Sequence, residues 1–162
     1  MDRVADRSES PAERSDRNWA DLLQELRVCQ TGTQLIAGFL LTLPFTGEFS
    51  DLDSFGRGLY LGLVLLAAVT TGLTLTPISI HRRLFGQQVK ERLVSSAHVL
   101  VHLVLGCIAL LVTGICVLVF DKVTDRTSAL VVGAAMLTTM ALLLAVVPLR
   151  VSHRATSGDR SE

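Results

Sequence analysis

Residues 28–47, 59–80, 93–120 and 127–149 contain no Asp, Glu, Lys or Arg. A helix rises about 1.5 Å per residue, so roughly 20 residues cross the hydrocarbon core of a bilayer. Each block reaches that length. A soluble core helix this long would carry a polar face, and residues 59–80 and 129–149 show none. The pattern therefore predicts four membrane-spanning helices. Charge sets their direction. Of the 15 Lys and Arg residues, 12 lie in the N-terminal segment, the 81–92 connection and the C-terminal segment; Arg57, Lys122 and Arg126 alone lie in the alternate loops. The excess of positive charge stays on the cytoplasmic side. An even number of spans puts both termini on one side, in agreement with that asymmetry.

The expected fold is all-α: an integral membrane four-helix bundle, up-down-up-down, with N and C termini cytoplasmic. The domain runs over 18–150, with helices at about 18–46, 58–80, 87–120 and 128–149. Residues 1–17 mix four Arg with five acidic residues and almost nothing apolar. They read as a disordered cytoplasmic tail and not as a signal peptide; residues 151–162 read as a second tail. The first helix opens amphipathically, with Trp19 at a depth suited to the bilayer interface. It and the third helix are longer than the hydrocarbon core requires and should project into the cytoplasm.

Several functional classes find no support. Net charge is zero, and no basic patch is interleaved with aromatics, so no nucleic acid is expected as partner. There is no nucleophile elbow, no phosphate-binding loop and no dinucleotide fingerprint, so the chain is not expected to be an enzyme. Cys29, Cys107 and Cys116 are odd in number and lie inside the uncharged blocks, as packing residues would. No metal or cofactor is expected. Asp51 and Asp53 read as solvated loop charges.

The polar residues left inside the spans are few. Arg27, Gln30, Thr31 and Gln34 recur at spacings of three and four and are expected on one helical face, with both glutamines turned to the bundle interior. An amide in a membrane is costly without a partner. The group can serve as interhelical glue or as a polar site for an ion or headgroup. His98 and His102 also share a face. They can hydrogen-bond a neighbour, relay a proton or bind a ligand; a metal site would need a third donor, and haem a histidine from another helix such as His81. Glu25 is expected to pair with Lys90, Arg92 or the Arg82/Arg83 pair at the cytoplasmic rim. Gly58-xxx-Gly62, Ala67-xxx-Thr71, Gly106, Ala109, Thr113, Ala134 and Thr138 offer surfaces for close helix approach.

The segment LLQELRVCQTGTQLIAGFLLTLPF at 22–45, followed by HRRLFG at 81–86 and the basic Lys90, resembles a bacterial family of small four-helix membrane proteins, the domain of unknown function 6328. The resemblance covers roughly residues 18–150. It implies a multi-pass protein of the bacterial inner membrane. Some family members carry the automatic name sodium:proton antiporter. Coupled cation exchange normally uses a carboxylate at membrane depth, and all four blocks lack one. Two readings therefore stand. One is a non-enzymatic structural, partner-binding or regulatory bundle, whose partners are the lipid bilayer and a membrane protein or a second copy. The other is an ion or proton transporter or channel subunit that uses the helix 1 polar residues and the helix 3 histidines.

Overall fold

The computed structural model describes the backbone of residues 11–83 and 90–158. Among them are four long helices, α1 (Pro11–Thr42), α2 (Ser54–Arg83), α3 (Lys90–Val123) and α4 (Arg126–Gly158), and no strand. Two short 3₁₀ turns, Leu43–Phe45 and Gly47–Phe49, follow α1. Each long helix contains a segment long and apolar enough to cross a membrane: Ala20–Phe45, Ser54–Thr76, Val99–Val123 and Arg126–Val146. The chain is an all-α, four-helix membrane protein.

α1, α2 and α4 start earlier than expected, for local reasons. α1 begins at Pro11, inside the segment read as a disordered tail. Proline suits the first helical position, and the following AERSDR is rich in helix formers, with Glu13 four residues before Arg17. α2 begins at Ser54 because Asp53 caps it: Gly56 N–H donates to Asp53 Oδ1 at 2.8 Å. α4 begins at Arg126 because Asp125 caps it, its carboxylate accepting from Ser128 N–H at 3.0 Å and from Ser128 Oγ at 2.7 Å. α4 also continues to Gly158, past the expected end at 149.

The bundle is uneven. α1, α2 and α3 pack against one another, whereas the α4 backbone comes close to α3 and to no other helix among the described residues. A third (33%) of the most apolar window of α3 is buried, against 11% for α1 and for α4. The core is a column of Leu40, Tyr60, Leu63, Ala67, Leu111 and Leu118 near the end that carries the 43–53 and 124–125 connections, here the loop end. A second cluster of Leu22, Leu26, Val101 and Val104 lies towards the opposite, tail end. Tyr60 Oη donates to Leu40 O at 3.0 Å in the first of these, and Phe49 meets the Tyr60 ring edge-on at 5.1 Å. A buried phenol next to lipid needs such a partner. The bond also pins the antiparallel register of α1 and α2.

Close approach uses glycines other than those expected. A Cβ at Gly114 would run into Leu63, and one at Gly133 would run into Val117. Gly58 and Gly62 have nothing within 4 Å of the equivalent position and lie exposed, as do Ala134 and Thr138. Spacing alone marks small residues; the rotation of the helix decides which of them touch a neighbour.

Candidate functional site

α1 presents two faces to different surroundings. Leu26, Thr33 and Leu40, seven residues apart, are buried against α2 and α3. Thr33 is 1% exposed, and its hydroxyl donates to Cys29 O at 2.9 Å. The register set by Tyr60 and Leu40 puts Thr33 at the level of Ala67, half-buried Gln30 at the level of Thr70, and Leu26 at the level of Thr74. Thr70 and Thr74 are also buried, and donate to Leu66 O (2.7 Å) and Thr71 O (2.8 Å). The result is a belt of hydroxyls in the tail-end half of the α1–α2 contact. Each threonine satisfies its donor within its own helix, which is how such residues remain in an apolar interior. Their oxygens retain acceptor capacity, which suits the Gln30 amide or a weakly bound cation. Thr113 on α3 is the exception: its buried Oγ1 has no partner among the described residues. The spans of α2 carried this signal as a run of threonines at 70, 71, 74 and 76, which residue-type motifs do not single out.

The opposite face of α1 is uncovered. Arg27, Thr31 and Gln34 are exposed, and Gln34 has no partner among the described residues. This corrects the expectation that both glutamines turn inwards. A helix advances 100° per residue, so a face holding Thr33 and Leu40 inside must send Gln34 and Gly38 outwards. Apolar surface decides that rotation: Leu22, Leu26, Leu40 and Ile36 outweigh one amide.

Of the other expected site residues, His102 lies exposed on α3. The side chains of His98, Lys90, Arg92, Arg82, Arg83 and Trp19 lie outside the described residues, and with them the pairing expected for Glu25, which is exposed. Among the described residues, no group of three or more His, Cys, Asp or Glu could hold a metal ion.

The loop end holds an ion cluster that takes in Asp51 and Asp53, expected from the sequence to be solvated loop charges. Arg126 donates from Nη2 to Asp53 Oδ2 at 2.7 Å and grips Asp121 through Nε (2.7 Å) and Nη2 (3.2 Å). Its guanidinium stacks on Phe55, with Cζ 3.9 Å from the ring centre. One side chain thus ties the starts of α2 and α4 to the end of α3. Beside it, Lys122 Nζ stands 3.4 Å from Glu48 and 3.8 Å from Asp51. Glu48 and Lys122 also line a mostly apolar groove of about 470 Å³ between α1 and α3, together with Ile36, Phe39, Leu43 and Ile115. Its apolar walls match a hydrocarbon chain.

The cluster makes the loop end acid-sensitive. The Gly56 N–H and then Arg126 hold the Asp53 carboxyl below its ordinary value, and the Ser128 hydroxyl and N–H do the same for Asp125. A lowered folded-state value adds stability above the unfolded value and loses it as pH falls through the folded one. The thermal unfolding midpoint of the full chain will therefore hold from pH 7 to about 5 and fall below about 4. In an Asp53→Asn/Asp125→Asn variant the caps persist but neither group titrates, so the fall will be shallower. An unchanged acid limb would contradict the capping roles.

No curated protein and no solved structure matches the chain. A family model does, over residues 8–148, which takes in all four spans and both loop-end connections. With four apolar helices arranged as described, the chain belongs to the family of unknown function DUF6328.

Proposed function

We propose that this chain is a non-enzymatic, multi-pass bundle of the bacterial inner membrane, with both termini cytoplasmic, whose work is to bind other transmembrane helices in a structural or regulatory role. The observation that carries this reading is the uncovered face of α1. The span Ala20–Phe45 has Gln34 near its middle, exposed and without a partner among the described residues. Leaving an amide unbonded in hydrocarbon costs roughly 2–7 kcal/mol. A helix from outside the fold removes that cost. The sorting of Lys and Arg to the tail end supports the orientation.

Extraction of the full chain from its native membrane into polymer-bounded nanodiscs tests the reading. Native mass measurement should find particles holding more than one 17.5 kDa chain's worth of protein. Particles that hold a lone chain would overturn it.

The hydroxyl belt of Thr33, Thr70 and Thr74 with Gln30 favours a second reading, an ion or proton transporter or channel subunit. Cation-coupled proton flux in proteoliposomes, lost on replacing His98 and His102 with Ala, would establish it in place of the first.

A further inference from the structure

The uncovered face of α1 has a regular order. Gln24, Arg27, Thr31, Gln34, Gly38 and Leu41 follow one another at spacings of 3, 4, 3, 4 and 3, and all six are exposed. That is the a/d pattern of a left-handed helix pair, kept up for most of the α1 span and set opposite the buried Leu26, Thr33 and Leu40. We propose that this stripe is the seam of a parallel homodimer, in which α1 packs against α1 of a second copy and Gln34 bonds the partner's Gln34 across a two-fold axis along the membrane normal. The inference rests on the partner-binding reading above and names the partner.

A second copy fits this stripe for three reasons. Copies inserted by the same charge rule lie parallel, and a two-fold axis through the stripe brings each residue to its own equivalent. The primary amide is self-complementary: it has N–H donors and an oxygen acceptor, so two glutamines satisfy each other where one alone satisfies nothing. Space is available at the next layer. Gly38 has nothing within 4 Å of the place its Cβ would occupy, so a second backbone can come close there. Thr31 adds no unmet donor, because its hydroxyl bonds Arg27 O at 3.0 Å. Towards the tail end, Gln24 offers an amide oxygen to the partner's Arg27. Gln34 lies near the middle of the span, where a paired amide sets register, the role that buried amides play in coiled coils.

The test uses the full chain, labelled with donor and acceptor fluorophores and reconstituted in liposomes over a range of protein-to-lipid ratios. Energy transfer between copies should report a dimer. Gln34→Leu should raise its dissociation constant about tenfold, and Gln34→Asn should hold it near that of the natural chain. Gln34 is exposed within the single chain, so helicity and thermal unfolding in detergent serve as the folding control and should not fall. In a background with the three cysteines replaced by Ala, Gly38→Cys should crosslink on oxidation, and Leu142→Cys, exposed on α4, should not.

An unchanged dissociation constant in Gln34→Leu, or crosslinking at Leu142→Cys in preference to Gly38→Cys, would overturn the homodimer. If the pure chain is monomeric at every lipid ratio while native nanodiscs still hold a larger assembly, the homodimer fails and the partner-binding reading stands. A lone chain in both settings sinks both.

Discussion

Replacing Gly133 with Ala will lower the stability of the protein by about 1–3 kcal/mol, the usual cost of forcing extra volume into a packed contact. The new methyl meets Val117 Cγ2 of α3 head-on. Valine in a helix has one strongly preferred rotamer, so it cannot swing aside cheaply as a leucine tip could. The strain falls at the contact that attaches α4, whose backbone approaches no helix but α3 among the described residues. Amides of α4 should therefore exchange faster than those of α1 and α2 in the variant. Adding Val117→Ala removes the opposing methyl and should restore most of the loss. Persistence of the full defect in the double variant would mean that the glycine serves something other than close approach. The corresponding change at Gly114 should be milder, because there the new Cβ meets the Cδ2 end of Leu63.

Leu111→Ala will destabilise the protein by about 1–3 kcal/mol, whereas Leu110→Ala will change little. The two leucines are neighbours in sequence and differ only in what surrounds them. Leu111 is 0% exposed in the cluster with Leu40, Tyr60, Leu63, Ala67 and Leu118; Leu110 is 49% exposed. In water both truncations would lose transfer energy. In a bilayer, lipid is as apolar as the core, so that loss nearly vanishes and only the unfilled cavity remains. The cost at Leu111 accordingly falls in the lower part of the range seen for soluble cores. Reversible unfolding in mixed micelles, read by the Tyr60 and Trp19 signals, measures both. Equal effects at 110 and 111 would show that α3 is rotated from the arrangement described.

The spans were legible because their cause is local. A run such as LYLGLVLLAAVTTGL has no way to satisfy water, whatever its neighbours do. The four spans and their antiparallel order accordingly agree with the sequence reading. α2 and α4 start four and two residues before the expected 58 and 128 because Asp53 and Asp125 cap them. Each precedes the residue whose N–H it accepts by three positions, Gly56 and Ser128, and that spacing is a signal available in the sequence. The Arg126 clamp was less accessible. Asp53 and Arg126 are 73 positions apart, and only the packing of α3 beside α2 brings them within 2.7 Å.

The faces of α1 show the same limit. Arg27, Gln30, Thr31 and Gln34 share one side of the helix, and polarity alone argues for turning both glutamines inwards. The structure divides them, with Gln30 half-buried beside the level of Thr70 and the other three exposed. Rotation of a helix in its bundle is set by the sum of its contacts, and one amide cannot outbid four apolar side chains.

The amino-acid sequence by itself determined that this is a membrane protein of four helices, where its apolar spans lie and which family it belongs to. These follow from runs of side chains that lipid accepts and water does not, and from residues contiguous in the chain. Only the tertiary structure decided that the α4 backbone approaches α3 and no other helix among the described residues, that Gly114 and Gly133 are glycines with no room for a Cβ, that Arg126 joins three helix ends, and that Gln34 stands outside its own fold. Each depends on the rotation and register of one helix against another, and those are settled by steric fit between side chains far apart in the chain.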